Sequence, residues 1–105
     1  MSSDQICGVY ILSNDGNRVL YTGMSTQLPE RIQSHKEKLV NGFAKEYNCT
    51  RLVYYEIVPD RNSALVKEKQ IKGWTRNKKA AIITLRNPQW ADLFAELVER
   101  AAGNL

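Results

Sequence analysis

The amino-terminal half of the chain alternates between short apolar runs and turn-forming residues, which is the pattern of a β-hairpin. Residues 5–12 are rich in β-branched and aromatic side chains and predict a first strand. Residues 13–17 are polar, and Asp15-Gly16 within them favours a hairpin turn. Residues 18–23 return as a second strand, so this segment predicts two antiparallel strands.

The turn also predicts which residues of the two strands face each other. With the Asp-Gly dipeptide at its centre, Tyr10 lies opposite Tyr21, and Gly8 lies opposite Gly23 on the same face. The two phenols would then lie beside two glycines, which have no side chains. Another molecule could approach such a surface closely.

Apolar residues at helical spacing predict one helix after the hairpin. It begins at Pro29, a residue suited to a first helical turn, and continues to about Asn41, where Gly42 ends it. Its buried stripe consists of Leu28, Ile32, Leu39 and Val40. A third strand, residues 51–58, follows and ends at Pro59.

Three further helices are predicted in the carboxyl-terminal half. The first begins within residues 60–63 and ends at 74–75, the second covers 78–86, and the third covers 90–101. Their inward-facing residues are Ala64, Leu65, Ile71, Trp74, Leu93, Phe94 and Leu97. The order ββαβααα predicts one domain over residues 1–105, of the α/β (α+β) class, with a three-stranded antiparallel sheet flanked by helices.

Composition and charge narrow the classes of function. Of the 105 residues 43% are hydrophobic and 25% are charged, which excludes a disordered or low-complexity chain. The net charge of +4 is compatible with a nucleic-acid partner but does not establish one. No apolar run is long enough to span a membrane, and the first four residues carry no export signal. We therefore expect a cytoplasmic protein without a membrane partner.

The sequence lacks the motifs that are typical of several common reaction types. It contains no phosphate-binding P-loop, no nucleophile-elbow serine and no HExxH zinc motif. Cys7 and Cys49 are far apart and form no metal-ligand set, and a reducing compartment suits them better than a disulfide. Cys7 stands in an apolar run and is expected to be buried.

Five side chains could carry chemistry, namely Tyr10, Tyr21, Arg31, His35 and Glu68. Taken singly, each has an ordinary structural explanation, since strand tyrosines usually pack and helical arginines usually face solvent. Arg31 and His35 are four residues apart and so share a helix face. Glu68 falls within the apolar stripe of its helix, where a carboxylate is costly unless a cation or hydrogen-bond donors meet it.

A basic segment surrounds and follows Glu68. It contains Lys67, Lys69, Lys72, Arg76, Lys78 and Lys79. Such a run is usually a solvated helix face. Trp74 within it is either a core residue or an aromatic surface on which a base could stack.

Together these residues resemble the signature of the GIY-YIG nuclease superfamily. Its elements are, in order, Gly8-Val9-Tyr10, Tyr21-Thr22-Gly23, Arg31, His35 and Glu68. The resemblance spans residues 6–97. The stretches 43–56 and 68–74 are similar to the small stand-alone bacterial members, which in turn resemble the N-terminal nuclease domain of the excinuclease C subunit.

The resemblance implies an endonuclease that hydrolyses DNA phosphodiester bonds with Mg²⁺ or Mn²⁺, in DNA repair or processing. It implies that Glu68 binds the metal, that Arg31 holds the phosphate, and that Tyr10 or Tyr21 takes the proton of the attacking water. His35 would orient or activate the phenol. In this sequence Thr22 replaces the isoleucine of the second motif and is expected to face away from the tyrosines.

Further expectations concern the partners. Contacts with nucleic acid are expected from Gly23, Arg31, Lys72, Trp74, Arg76 and Lys78. We expect a monomer that a protein partner could direct to its target, and nothing in the sequence separates DNA from RNA as the substrate. The alternative function is a nucleic-acid-binding module of the same fold with little or no catalysis.

Overall fold

A three-stranded antiparallel sheet with helices on both faces forms the framework of the molecule. The computed structural model describes residues 6–103. Its elements are β1 (Cys7–Ser13), β2 (Leu20–Ser25), α1 (Leu28–Lys36), α2 (Phe43–Glu46), β3 (Arg51–Val58), α3 (Arg61–Lys72), α4 (Arg76–Arg86) and α5 (Phe94–Ala101). The strands lie in the order β2-β1-β3, which confirms the predicted fold class. The short α2 is not predicted by the apolar pattern, because four residues are too few to form a helical stripe.

The pairing of β1 with β2 differs from the predicted register by two residues. Tyr10 lies opposite Gly23 rather than Tyr21, and Gly8 lies opposite Ser25. A shift of two residues preserves the alternation of side chains, so the two tyrosines still share one face of the sheet.

The hairpin loop explains this shift. The predicted turn is present, since the N–H of Asn17 donates to the carbonyl of Asn14 over 3.0 Å. Asn17 then adopts a left-handed conformation with φ 55°, and the N–H of Asn14 donates to the carbonyl of Val19 over 3.3 Å. The Asn14 side chain also accepts from the N–H groups of Arg18 and Val19. Strand pairing therefore resumes two residues later on β2 than a tight turn would allow.

Helix α1 ends about one turn earlier than predicted, at Lys36 rather than Asn41. Lys38 adopts a left-handed conformation with φ 58°, and the N–H of Leu39 donates back to the carbonyl of Ser34 over 2.9 Å. This closes the end of the helix without a glycine. Leu39, predicted to be buried, is 67% exposed as a result.

The two faces of the sheet carry separate apolar clusters. On one face the strands pack against α1 and α5, and the cluster includes Tyr10, Leu12, Leu28, Ile32, Leu52, Tyr55 and Leu97. On the other face they pack against α3 and α4, and the cluster contains Val9, Ile11, Val53, Tyr54, Ile71 and Ile83. The candidate tyrosines therefore lie on the α1 face.

Side-chain caps set the starts of the two helices on the other face. Asp60 accepts from the N–H of Ser63 over 2.8 Å at the start of α3. Thr75 accepts from the N–H of Lys78 over 3.1 Å at the start of α4, which begins two residues before the prediction. Each cap satisfies a backbone N–H that has no partner within its own helix.

The segment before α5 is not helical, although helix was predicted from residue 90. Trp90 has a φ of 52°, and the N–H of Leu93 donates to the carbonyl of Leu52 on β3 over 2.7 Å. The Asn87 side-chain amide donates to the carbonyl of Val53 over 3.1 Å. Residues 87–93 thus cover part of the outer edge of β3. In this non-helical conformation they donate hydrogen bonds to backbone carbonyls of the edge strand.

The two cysteines are free thiols, and Cys7 is half-buried rather than buried as predicted. None of the helices described for residues 6–103 has the length and apolar content that a membrane crossing requires.

Candidate active site

Tyr10 lies at the centre of the candidate site, in the middle strand of the sheet. It is 1% exposed, and its phenol oxygen is 2.9 Å from Nε2 of His35. His35 lies in the last turn of α1 and is buried. The two rings meet edge to face with their centroids 5.6 Å apart. Strand β1 and helix α1 therefore hold a buried pair of one phenol and one imidazole.

Both members of this pair are uncharged near neutral pH. Burial raises the pKa of the Tyr10 phenol well above its usual value, Tyr21 and Glu68 raise it further, and Arg31 partly offsets them. Burial lowers the pKa of His35 to about 4, and the positive charge of Arg31 acts in the same direction. The hydrogen bond therefore joins a protonated phenol to a neutral imidazole.

Gly23 provides the space in which the Tyr10 ring lies. A Cβ atom at this position would be 2.5 Å from the Tyr10 phenol oxygen. The glycine of the second motif is thus required by the close approach of a side chain from the neighbouring strand.

Tyr21, the second candidate tyrosine, lies nearer the surface and is half-buried. Its ring centroid is 6.3 Å from that of Tyr10 and 5.5 Å from that of His35. On its other side it stacks on Phe43, with 6.2 Å between centroids. Tyr21 therefore connects the buried pair to the exterior.

Arg31 and Glu68 add opposite charges to the site from two different helices. Both are close enough to Tyr10 to shift its pKa. Arg31 is exposed on α1 and lines a cavity of about 320 Å³ together with Arg61 of α3. The Glu68 side chain on α3 is only 20% exposed, and its carboxylate lies 3.2 Å from the ammonium of Lys72. The other four predicted residues thus contact the phenol of Tyr10 or act on it through their charge.

Comparison with known proteins agrees with this arrangement. A family model described as the GIY-YIG catalytic domain matches residues 6–81, which include all five residues. The chain belongs to the GIY-YIG family. It is similar to the UPF0213 proteins of Staphylococcus aureus strains Mu3 and Mu50, each 34% identical over 79 residues that cover 74% of this chain and 94% of theirs.

A solved structure shows the same fold in a further GIY-YIG protein. The solution NMR structure of the UPF0213 protein BH0048 from Bacillus halodurans matches with a TM-score of 0.53 and 25% sequence identity. The match covers 83% of this chain and 92% of that chain. The resemblance to small stand-alone members is therefore confirmed.

This GIY-YIG domain departs from the name of the motif at two positions, with Val9 for isoleucine in the first half and Thr22 for isoleucine in the second. Thr22 is the polar replacement. It lies opposite Ile11 and therefore faces away from the tyrosines, as predicted. It is buried, and its hydroxyl has no hydrogen-bond partner within residues 6–103. Threonine at this position therefore does not change the candidate site. Its buried hydroxyl faces the cluster beneath α3, where it lowers the stability of the fold.

Glu68 is the residue that could hold a divalent metal in this GIY-YIG domain. Among residues 6–103 no group of three or more histidine, cysteine, aspartate or glutamate side chains comes together. Mg²⁺ keeps several waters and is commonly bound through one or two carboxylates and substrate phosphates. A single carboxylate that is mostly buried, with an arginine that acts on the same phenol and could hold a phosphate, fits such a site.

Three of the six predicted nucleic-acid contacts, Trp74, Arg76 and Lys78, lie away from the tyrosines. Trp74 is half-buried against the cluster on the α3 and α4 face, and the Lys78 ammonium lies 4.7 Å from its ring centroid. The Arg76 guanidinium donates to the carbonyls of Asn17 and Arg18 in the hairpin loop. Trp74 and Arg76 thus have structural partners.

Two aromatic residues near the site are absent from the predicted set. Phe43 and Tyr47 lie on and directly after α2, with ring centroids 4.6 Å apart. In the sequence the two aromatic residues are four positions apart and follow a glycine, which is compatible with one face of a helix. A helix of four residues is too short for a repeating apolar pattern, so the sequence did not identify them.

Proposed function

We propose that this GIY-YIG protein is a metal-dependent endonuclease that hydrolyses phosphodiester bonds of DNA. One observation supports the proposal most directly: His35 of α1 meets the phenol of Tyr10 at 2.9 Å, and Arg31 of α1 and Glu68 of α3 are close enough for their charges to act on the same phenol. A guanidinium, an imidazole and a carboxylate around one phenol have no common structural purpose, and such a group can bind and cleave a phosphodiester.

Arg31 binds the phosphate in this proposal. Its side chain is exposed and lines the cavity that also contains Arg61. A guanidinium can donate two hydrogen bonds to phosphate oxygens and offsets the negative charge that grows in the transition state.

Tyr21 acts as a phenolate: its phenol first releases its own proton to solvent, and the phenolate oxygen then accepts the proton of the attacking water. It is half-buried, whereas Tyr10 is 1% exposed and hydrogen-bonded to His35. A general base must come within hydrogen-bond reach of the water whose proton it takes. Tyr10 and His35 then act as positioning residues, because their rings pack against the ring of Tyr21.

Glu68 holds the metal through its carboxylate. A bound Mg²⁺ or Mn²⁺ would polarise the phosphate and stabilise the leaving oxygen. In the absence of metal, the Lys72 ammonium neutralises the same carboxylate at 3.2 Å. The 20% exposure of the Glu68 side chain leaves the carboxylate open to one side.

The proposal extends to the substrate and the biological role. The DNA contacts proposed for residues 6–103 are contacts to phosphates, which carry no sequence information, so we propose low sequence specificity and a role in repair or processing of DNA. Affinity would then come from lysines and arginines on phosphates and would fall steeply with salt.

Cleavage of labelled DNA tests the proposal. Wild-type protein is incubated with single-stranded, duplex, flap, nicked and four-way-junction DNA, with Mg²⁺, with Mn²⁺ and with EDTA. Glu68→Gln, Arg31→Ala and Tyr21→Phe are compared with Glu99→Gln, which changes an exposed glutamate far along the chain. We expect metal-dependent cutting that falls at least 100-fold in the three site variants and is retained in the control.

Other results would count against the proposal in distinct ways. Binding that is sensitive to salt but never accompanied by cutting would support the alternative, a nucleic-acid-binding module of this fold. Cutting that is equal in Glu68→Gln and wild type would reject the assigned site.

A further inference from the structure

We propose that Phe43 and Tyr47 form a stacking platform for an unpaired base of the DNA strand that is cut. The preferred substrate is then single-stranded or locally unpaired DNA. This inference rests on the proposed nuclease function and specifies its substrate class.

The two platform rings are unusually exposed for large aromatic side chains. Phe43 is 48% exposed and Tyr47 is 46% exposed. Their ring centroids are 4.6 Å apart with 38° between the ring planes. Exposed apolar side chains that occur singly need no explanation, but an adjacent pair of aromatic rings marks a contact surface.

The platform is continuous with the candidate active site. Phe43 stacks on Tyr21 with only 21° between the ring planes. Tyr21 in turn lies against His35 and Tyr10. An unbroken series of rings therefore runs from the buried phenol to the surface, and a strand whose phosphate lies at Arg31 has aromatic faces within reach.

A nucleic-acid base is the occupant that fits this surface best. Every base has a flat face that can stack on an aromatic ring, whatever the sequence. Lys45 on α2 is exposed, and Lys38 before α2 is exposed as well. These ammonium groups suit a polyanionic strand, as does the net charge of +4. A base within a duplex stacks on its neighbours, so the platform favours an unpaired one.

The other candidate for stacking, Trp74, is less suitable. Its ring is half-buried in the cluster on the opposite face of the sheet, with the Lys78 ammonium 4.7 Å from the ring centroid. It is also separated from Tyr10 by the sheet itself. The platform on α2 is the aromatic surface that adjoins the candidate site.

Binding measurements in a background that does not cut DNA test the platform. Glu68→Gln protein is titrated into fluorescein-labelled oligothymidine and into a duplex of equal length, and anisotropy is recorded. Phe43→Leu and Tyr47→Leu are added to this background and compared with Leu85→Ala, which removes an apolar side chain that is 80% exposed on α4. Thermal melting establishes that each variant is folded.

We expect the single strand to bind more tightly than the duplex. Phe43→Leu weakens single-strand binding by roughly 5- to 150-fold, the range that loss of one stacked base implies. Leu85→Ala retains the affinity of the background protein. Oligonucleotides that carry 5-iododeoxyuridine, irradiated in the complex, form adducts that map to Phe43 or Tyr47.

Each contrary result has a defined meaning. Equal affinity for single strand and duplex, with no effect of Phe43→Leu, overturns the platform while the nuclease proposal stands. Adducts that map only to Trp74 overturn it in the same way. Absence of any DNA binding overturns both proposals.

Discussion

Gly23 on β2 and Tyr10 on β1 lie directly opposite each other, and the phenol of the tyrosine occupies the space that a side chain would need. A Cβ atom on Gly23 would be 2.6 Å from Cζ of the ring as well as 2.5 Å from its oxygen. The same oxygen meets His35 at 2.9 Å. One methyl group on β2 would therefore displace the hydrogen bond that joins β1 to α1.

Substitution Gly23→Ala is expected to destabilise the protein and to remove its cleavage activity. The cost is that of overpacking a full core, about 1–3 kcal/mol in the free energy of unfolding. Urea unfolding and the cleavage assay measure the two effects. Gly16→Ala is the control, because the nearest atoms to an added Cβ there are 3.7 Å away on a flexible side chain. Wild-type cleavage by Gly23→Ala would refute the role given to this contact.

The low pKa of His35 predicts how stability depends on pH. In the unfolded chain histidine binds a proton as the pH falls below about 6.5, whereas folded His35, with a pKa of about 4, stays neutral. The unfolded state therefore binds more protons between these values, and stability is lost as the pH falls from 6.5 towards 4.

Comparison with His35→Gln isolates this contribution, since the carboxylates that titrate in the same range are common to both proteins. The free energy of unfolding is measured in urea at pH 7, 5.5 and 4.5. We expect a smaller decrease in the variant than in the wild type. Parallel curves for the two proteins would show that His35 is protonated as easily in the folded state as in the unfolded one.

Lys72→Met is expected to increase the affinity of the site for a divalent cation. The Lys72 ammonium competes for the Glu68 carboxylate at 3.2 Å, and an ion pair with one solvent-exposed partner is worth up to about 1 kcal/mol. Calorimetric titration with Mn²⁺ should show a dissociation constant about two- to fivefold lower. Lys69→Met, at an exposed lysine on the same helix, serves as the control. Unchanged or weaker binding in Lys72→Met contradicts the assignment of Glu68.

Thr22→Val is expected to stabilise the protein. The Thr22 hydroxyl is buried without a hydrogen-bond partner in the described part of the chain, and valine has nearly the same shape without the polar atom. Removal of an unsatisfied hydroxyl is worth about 1 kcal/mol. Thr84→Val makes the same change where Trp90 Nε1 donates to the hydroxyl over 3.0 Å. Thermal melting should rise for the first variant and not for the second.

Much of the fold could be predicted from local pattern alone. The third strand was predicted at residues 51–58, where the structure has it, because β-branched and aromatic residues form one uninterrupted run before Pro59. Helix α3 was predicted to within three residues at each end, since its apolar stripe and the capping Asp60 agree. The end of α1 was missed because Lys38 adopts a left-handed conformation that its side chain does not signal.

The candidate site was predicted only in part. The family motif supplied the residues, and helical spacing gave a shared face for Arg31 and His35. Spacing could not show that Tyr10 is buried and Tyr21 half-buried, since that depends on where α1 and α2 pack. The surroundings of Phe43 were also beyond prediction, because its neighbour Tyr21 is 22 residues away and comes near only through tertiary structure.

The hairpin loop joins β1 and β2 at the end of the hairpin that is far from Gly8. It determines which residues of the two strands face each other at the candidate site. Asn17 in this loop adopts a left-handed conformation, and pairing on β2 begins two residues later than it would after a tight turn. The same two-residue shift in register continues along both strands to Tyr10. A shorter loop would set a tyrosine, not a glycine, across from this phenol. Insertions and deletions between β1 and β2 are therefore expected to change which residue faces Tyr10 in the candidate active site.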